Sequence, residues 1–254
     1  MKHLYPDIAI IIPAYNEQAS IRTIVESVFS FTNKVIVVDD GSTDQTVMQL
    51  KDLPVTLLRN ATNQGKGASL MRSFRHLQEL NVRAAICMDA DTQHDPHDIP
   101  KFIQAMEEYP NHIIIGARTY NAESAPKARR CANLIADFFI SWAAGHRIID
   151  TQSGYRLYPC DFLYQCLRRL RSQRFAFESE MLIQASRRGY LPISIPIHSH
   201  YPKNSRPSHY KPLIDTVKIT WMVTWKIITR GFCLPGLWRT LLKPNKIADF
   251  EKEN

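Results

Sequence analysis

The stretch Ile86-Cys87-Met88-Asp89-Ala90-Asp91-Thr92-Gln93-His94-Asp95-Pro96 places two carboxylates directly after a short apolar run. The apolar residues predict a buried strand, which ends at the polar cluster and Pro96. Because residues i and i+2 of a strand point to the same side, Asp89 and Asp91 are expected to face one site together. Two such carboxylates suit a hard divalent cation, which itself binds a diphosphate. A turn with two solvated acids explains the same residues, so the rest of the chain must decide.

The composition is that of an ordinary globular protein. The chain has 254 residues, of which 44% are hydrophobic and 22% are charged, which suits one large α/β domain or one domain with a modest appendage. The net charge of +8 favours anionic partners. The basic residues are spread out and no nucleic-acid-binding module is visible, so nucleic acid is not an expected partner. Five scattered cysteines without CxxC spacing indicate reduced, packing residues of a cytosolic protein.

Strand-like and helical segments alternate along the first half of the chain, which predicts βαβ units and a mostly parallel sheet with helices on both faces. Ligands of such sheets bind outside the carboxyl ends of the strands. Polar side chains cluster at those ends: Glu17, Asp39, Asp40, Lys66, Asp89 and Asp91. The predicted strands span residues 8–12, 34–38, 55–58, 84–88, 112–115 and 191–197, and the predicted helices span 18–31, 68–80, 132–144 and 178–188. A further helix is predicted to follow the loop at 39–44 and to end at Leu50.

Several nucleotide-binding motifs are missing from the sequence. No GxGxxG follows the first predicted strand and no GxxxxGK[ST] occurs, which argues against dinucleotide-binding folds and P-loop enzymes. The segment Asn63-Gln64-Gly65-Lys66-Gly67 precedes a helix and suits a phosphate, although a plain helix-entry turn explains it equally well. His94 and His97 have the residue type of zinc ligands, but a loop-to-helix turn is the preferred interpretation of their segment.

Six motifs in order resemble the family-2 glycosyltransferases over residues 7–200. They are IIPAYNE (11–17), VVDDGSTD (37–44), NQGKG (63–67), MDADTQHDP (88–96), GAR (116–118) and DTQSGYRLYP (150–159). Within this family the chain is most similar to dolichol-phosphate mannosyltransferase-like enzymes, including bacterial polyprenyl-phosphate sugar transferases. The resemblance implies the α/β GT-A nucleotide-sugar fold over residues 1–210.

The resemblance also implies roles for individual residues on the donor side. Mg²⁺ or Mn²⁺ would be bound by Asp89 and Asp91 and would neutralise charge as the nucleoside diphosphate leaves, which makes Asp91 a catalytic candidate. The remaining donor-binding candidates are Pro13, Tyr15, Glu17 and Asp40 at the nucleoside, Lys66 and Gln93 near the nucleotide and metal, and Arg206 at the diphosphate. The sequence Ser208-His209 stands where the family has Ser-Lys.

The acceptor side matches the family less closely. Arg118 and the cluster Lys127, Arg129 and Arg130 are candidates for binding an acceptor phosphate, although a solvated helix start also explains the cluster. Residues 175–182 resemble the acidic acceptor-side motif. A hydroxyl acceptor needs a general base, for which Glu180 aligns best and Glu178 and Asp150 are alternatives, whereas a phosphate acceptor is already anionic.

Residues 212–230 predict a helix that is apolar over most of its circumference. One narrow polar stripe carries Asp215, Lys218 and Lys226, and the broad apolar face contains Trp221 and Trp225. Such a helix, with basic flanks, lies in a membrane interface or packs on the domain or on another subunit. Residues 211–254 are therefore predicted to form a helical, membrane-interfacial extension. No stretch is long enough to predict a transmembrane helix.

These patterns together predict a metal-dependent, inverting glycosyltransferase. It would move a sugar from a nucleoside-diphosphate sugar to a lipid-linked or membrane-proximal acceptor, on the cytoplasmic face of the membrane. A hydroxyl acceptor on a glycan or glycolipid is the first alternative, and a non-catalytic protein that binds nucleotide sugars or anionic membranes is the second. The donor base and sugar, the acceptor and the oligomeric state stay open.

Overall fold

The computed structural model describes residues 4–119, 127–167, 176–199, 212–229 and 231–242, with residues 127–129 and 212–218 described by their backbone only. A seven-stranded sheet forms the centre of the molecule. Its strands are β1 (Ile8–Ala14), β2 (Val35–Asp39), β3 (Thr56–Arg59), β4 (Ala84–Cys87), β5 (His112–Ala117), β6 (Arg156–Pro159) and β7 (Leu191–Pro196). The helices are α1 (Ile21–Val28), α2 (Lys66–His76), α3 (Ile99–Glu108), α4 (Lys127–Ala144), α5 (Cys160–Cys166), α6 (Ala176–Ser186), α7 (Pro212–Ile228) and α8 (Leu234–Leu242).

The strand order is β3-β2-β1-β4-β6-β5-β7, and β6 runs antiparallel to both of its neighbours. The other pairings are parallel, so the predicted mostly parallel sheet is confirmed. Successive side chains of β1 lie on opposite faces of the sheet and belong to two different hydrophobic cores. Ile10 and Ile12 of β1 pack with α1 and α3, whereas Ala9 and Ile11 pack with α2, α4, α5 and α6. Helices therefore cover both faces of the sheet, as expected for a buried parallel sheet.

Two elements differ from the sequence prediction. Strand β6 was not predicted, because its four residues include Arg156, which is only 1% exposed and is an unusual residue for a central strand. A helix ending at Leu50 was expected, but the structure has only a short 3₁₀ turn over Met48–Leu50. In the preceding loop the two Asp44 carboxylate oxygens and the Thr46 hydroxyl accept backbone N–H groups instead, those of Gln18, Thr46 and Glu17.

The C-terminal helices pack on the domain, on the side of the sheet that α4 and α6 cover. Packing on the domain is one of the arrangements expected from the sequence. Val223 and Ile227 of α7 are buried in the core that α4 and α6 share. The Lys226 ammonium lies 2.9 Å from the Glu180 carboxylate on α6. The indole N–H of Trp142 on α4 donates to the Phe232 carbonyl at 2.8 Å. Within the described residues, no helix is both long and apolar enough to cross a membrane.

Removal of one partner of the Lys226–Glu180 pair should weaken the attachment of α7. Glu180 is 3% exposed, so Lys226→Met leaves a buried carboxylate without this cation. We expect the free energy of unfolding to fall by about 3 kcal/mol in urea titrations. The double variant Glu180→Met/Lys226→Met should regain most of the loss, since no buried charge remains. Equal stability of the Lys226→Met variant and the wild type would contradict this account.

Candidate active site

Three charged side chains from separate parts of the chain meet at the carboxyl edge of the sheet. The Lys66 ammonium, in the first turn of α2, lies 2.5 Å from an Asp89 carboxylate oxygen and 3.3 Å from the Glu178 carboxylate of α6. Burial alone would lower the pKa of Lys66, but the two carboxylates outweigh it and raise that pKa. Burial likewise would raise the pKa of Asp89, yet Lys66 holds it below its ordinary value. Both groups are therefore charged near neutral pH.

Asp91 lies in a different local environment from Asp89. One of its oxygens accepts the Gln93 backbone N–H at 3.1 Å, and the other accepts the Gln93 side-chain amide at 2.7 Å. Burial and the neighbouring Asp89 carboxylate both raise the pKa of Asp91. Thr92, which lies between Asp91 and Gln93, has a φ of 62°, and this backbone conformation is strained for a β-branched residue. The loop thus holds more negative charge at this point than its hydrogen bonds neutralise.

The donor set fits Mg²⁺ or Mn²⁺ shared with a substrate phosphate. Asp89 and Asp91 supply hard oxygen ligands, and their mutual repulsion, visible in the raised pKa of Asp91, favours a cation nearby. Among the described residues, no group of three or more His, Cys, Asp or Glu side chains is placed to hold a metal. Mg²⁺ is commonly held by one or two carboxylates together with substrate phosphates, so this incomplete set fits such a site.

His94 supports the backbone of Asp89. The ring is 5% exposed, stacks on Tyr155 with centroids 4.9 Å apart, and accepts the Asp89 backbone N–H at its Nδ1, 3.3 Å away. Burial lowers the pKa of His94 to about 4, so the ring is neutral at pH 7. The residue therefore fixes the start of the loop by packing and hydrogen bonding.

The residues predicted at the nucleoside surround the ends of β1 and β2. Asp40 is 4% exposed and accepts the backbone N–H groups of Gln64 and Gly65, at 3.0 and 2.7 Å, together with the Asn60 amide at 2.8 Å. It therefore shapes the turn that leads into Lys66. Pro13, within β1, and Tyr15 and Glu17, which follow it, are half-buried. The Ser20 hydroxyl joins this segment to the loop after β4, since it donates to the Ala90 carbonyl at 2.6 Å.

Arg118 and Asp150 form a bidentate ion pair. The guanidinium donates to the two carboxylate oxygens at 2.8 and 2.6 Å, and the Arg118 backbone N–H adds a third bond at 2.9 Å. Burial would raise the pKa of Asp150, but the bonds from Arg118 lower it. A carboxylate held in this way is a weak base. A phosphate at Arg118 would have to share the guanidinium with Asp150.

The two glutamates of α6 face different partners. Glu178 contacts Lys66 in the site, whereas Glu180, which aligned best as a base, pairs with Lys226 of α7. Arg130 is exposed. The side chains of Lys127 and Arg129, and all of Arg206, Ser208 and His209, lie outside the described residues.

Three supporting residues were missed by the sequence reasoning. A Cβ on Gly154 would lie 2.5 Å from both Lys66 Nζ and Asp89 Oδ2, so this glycine allows the pair to form. Arg156 is buried beside the turn that contains Gly154, and it donates to the Ser153 carbonyl. Asp137 on α4 accepts the backbone N–H groups of Asp150 and Thr151 at 3.0 and 2.8 Å. Both Gly154 and Arg156 lie in the motif at 150–159, which was the available signal.

The mostly parallel sheet with helices on both faces is the GT-A fold. The model of glycosyl transferase family 2 matches residues 9–169, more than half of the chain, and the protein therefore belongs to this family.

Named relatives and solved structures agree with this assignment. A UDP-N-acetylglucosamine–dolichyl-phosphate N-acetylglucosaminyltransferase of Methanococcus voltae is 29% identical, over 78% of this chain and 87% of the relative. An undecaprenyl-phosphate mannosyltransferase of Micrococcus luteus is 27% identical, over 74% and 81%. Glucosyl-3-phosphoglycerate synthase from Mycobacterium tuberculosis, solved with Mg²⁺ and UDP, has a TM-score of 0.60 at 17% identity, over 89% of this chain and 79% of that chain. That likeness supports the fold.

Asp137 should hold the 150–151 turn in place. An asparagine side chain at this position would have only one acceptor oxygen for two N–H groups, so Asp137→Asn should lower the free energy of unfolding by about 1–3 kcal/mol. Burial raises the pKa of Asp137 from 3.8 to about 6, so its stabilising contribution decreases as the pH rises through about 6. Urea titrations should therefore show a larger deficit at pH 5 than at pH 8. The exposed Asp161→Asn is the control. A deficit that grows with rising pH would contradict the assignment.

Proposed function

We propose that this protein transfers a sugar from a nucleoside-diphosphate sugar to a polyprenyl phosphate, with Mg²⁺ or Mn²⁺ as its cofactor. The observation that carries the proposal is the excess negative charge of Asp89 and Asp91 after β4, beside the Lys66 ammonium. Carboxylates suit the metal and an ammonium suits a phosphate oxygen, so the same edge offers complementary groups for a metal-bound diphosphate.

The donor half of the reaction is assigned to the residues at the ends of β1, β2 and β4. Asp89 and Asp91 would hold the metal, which supplies charge neutralisation for the departing diphosphate. Gln93 orients Asp91 through its two hydrogen bonds. Lys66 would lie near the nucleotide, and the nucleoside would bind at Pro13, Tyr15, Glu17 and Asp40. Arg206 remains a candidate for the diphosphate from the sequence alone.

The acceptor half is assigned to a phosphate. The named relatives carry dolichyl phosphate and undecaprenyl phosphate in their names, which favours a polyprenyl phosphate here. A phosphate oxygen is already anionic and needs no general base. Arg118 would contact it with the guanidinium that Asp150 orients. Attack from the face opposite the leaving diphosphate would invert the configuration of the anomeric carbon.

A hydroxyl acceptor is the second candidate, and the position of Glu178 favours it. Its carboxylate lies in the site, 3.3 Å from Lys66, and is 12% exposed, so an acceptor hydroxyl has access to it. A general base contributes about 10²–10⁴ in rate. Glu178→Gln should therefore cost at least about a hundredfold with a hydroxyl acceptor and less than about tenfold with a phosphate. Transfer assays with a polyprenyl phosphate and the matching polyprenol decide between them, and a hundredfold loss on the phosphate would contradict our proposal.

Nucleotide binding provides the most direct test of the donor site. In thermal melting with UDP, GDP and their sugar derivatives, one nucleotide should raise the Tm by about 5 °C at a hundredfold excess over Kd, and only with Mn²⁺ present. Asp91→Asn should abolish the metal-dependent shift, because a ligand oxygen is lost. The exposed Asp161→Asn is the control. Failure of every nucleotide to shift the Tm would overturn the donor-site assignment.

We also propose that the C-terminal helices bind an anionic membrane on its cytoplasmic face. Helix α4 packs against both α7 and α8, and each of the three helices exposes large apolar side chains. Three of these side chains are tryptophans, which membrane interfaces favour. The exposed side chains are Leu134, Ile135, Phe139, Trp221, Trp225, Ile228, Leu234, Trp238, Leu241 and Leu242. The net charge of +8 would add attraction to anionic lipids.

Vesicle flotation tests this surface with the full-length chain. The triple variant Trp221→Ser/Trp225→Ser/Trp238→Ser should lose at least about tenfold in affinity for vesicles of phosphatidylglycerol and phosphatidylcholine, because the apolar contact area shrinks. The control Met48→Ser/Leu57→Ser removes two exposed apolar side chains, one in the Met48–Leu50 turn and one on the edge strand β3, and should bind as the wild type does. Equal binding of the triple variant and the wild type would refute the surface.

A further inference from the structure

Arg156 is the largest fully buried side chain of the described residues. It is 1% exposed and lies on β6, the antiparallel strand in the middle of the sheet. A buried guanidinium is costly unless its N–H groups are paired. The identity of its partners therefore shows what the residue holds together.

The guanidinium donates mainly to backbone carbonyls. Its Nε donates to the Ser153 carbonyl at 2.7 Å, and one terminal nitrogen donates to the Thr151 carbonyl at 2.6 Å. The other terminal nitrogen donates to the Glu178 carbonyl at 2.9 Å and to the Tyr158 hydroxyl at 3.2 Å. One side chain thus joins the turn before β6 to the first turns of α6, which are more than twenty residues apart in the chain.

These two segments border the Lys66 ammonium from different sides. Gly154, next to the Ser153 carbonyl, lies so close to the Lys66–Asp89 pair that a Cβ there would be 2.5 Å from each partner. Arg156 donates to the backbone carbonyl of Glu178, and the carboxylate of this same residue lies 3.3 Å from the Lys66 ammonium. The spacing between Asp89 and Glu178 across Lys66 therefore depends on the spacing of the two segments.

We propose that Arg156 is a positioning residue that sets this spacing. It fixes the 151–154 turn and the start of α6 relative to each other, so that the donor-side carboxylate Asp89 and the acceptor-side carboxylate Glu178 share one ammonium. The proposal rests on the proposed function, in which sugar transfer takes place across this group. Arg156 acts through the backbone and contacts no substrate.

The geometry requires a guanidinium. Its planar fork projects donors in several directions at once, which matches carbonyls from two segments. A lysine at position 156 would keep the charge but has one nitrogen, which cannot reach all three carbonyls in the same arrangement. Arg156→Lys therefore separates the effect of the fork from the effect of charge.

Hydrogen–deuterium exchange tests the coupling without any substrate. In Arg156→Lys, amides in both the 150–155 and 176–180 peptides should exchange at least about tenfold faster than in the wild type. The control Thr32→Val removes a buried hydrogen bond to the Ile8 carbonyl, far from the site, and should leave both peptides unchanged. Faster exchange in only one peptide, or in neither, would overturn the proposal. If Arg156→Lys fails to fold, exchange of the wild type in increasing urea replaces it: the two peptides should open together, and independent opening would overturn the proposal.

Turnover provides the second readout. With the nucleotide sugar that raises the Tm of the wild type, Arg156→Lys should lose about tenfold to a hundredfold in kcat, with KM for the donor changed less than about threefold. A loss of folded protein alone would leave kcat per folded molecule unchanged, and that result would reduce Arg156 to a stability role. If the wild type shows neither nucleotide binding nor turnover, the proposed function fails, and the exchange experiment still decides whether Arg156 couples the segments.

Discussion

The Lys66 ammonium lies between two carboxylates that belong to different halves of the site. Asp89 comes from the loop after β4, and Glu178 comes from α6, more than eighty residues later. A single buried cation keeps Asp89 ionised although burial opposes its charge. Without it, a buried carboxylate would take up a proton or move toward water. Three segments are arranged around the Lys66 ammonium and depend on its charge: the loop after β4, the turn that contains Gly154 and the start of α6.

The outline of the fold was predictable from the sequence because parallel strands leave a clear signal. Their near-continuous apolar runs, separated by helical spacing, indicated six of the seven strands and placed Asp40, Lys66 and Asp89 at one edge. Strand β6 left no such signal. It is short, and its buried Arg156 satisfies its N–H groups with carbonyls from distant segments, which only tertiary structure brings together. The family resemblance supplied the fold class that the periodicity of the second half did not.

The candidate site was predictable in its parts and less so in its pairings. The family resemblance favoured Glu180 over Glu178 as a base, yet Glu180 pairs with Lys226 and it is Glu178 that contacts Lys66. Arg118 and Asp150 were considered separately, although the two side chains form a bidentate ion pair with each other. Such ion pairs depend on side-chain direction and burial, which one sequence does not encode locally. The roles of these residues in sugar transfer remain predictions.

The pKa of Asp89 tests the central claim most directly. Carbon-13 NMR titration of the Asp89 carboxyl group, assigned with an Asp89→Asn variant, measures it in the wild type and in Lys66→Met. The account predicts a pKa below 3.8 in the wild type and above 3.8 in the variant, because burial remains when the ammonium is removed. An Asp89 pKa that is the same in both proteins would contradict the claim that Lys66 holds the site together.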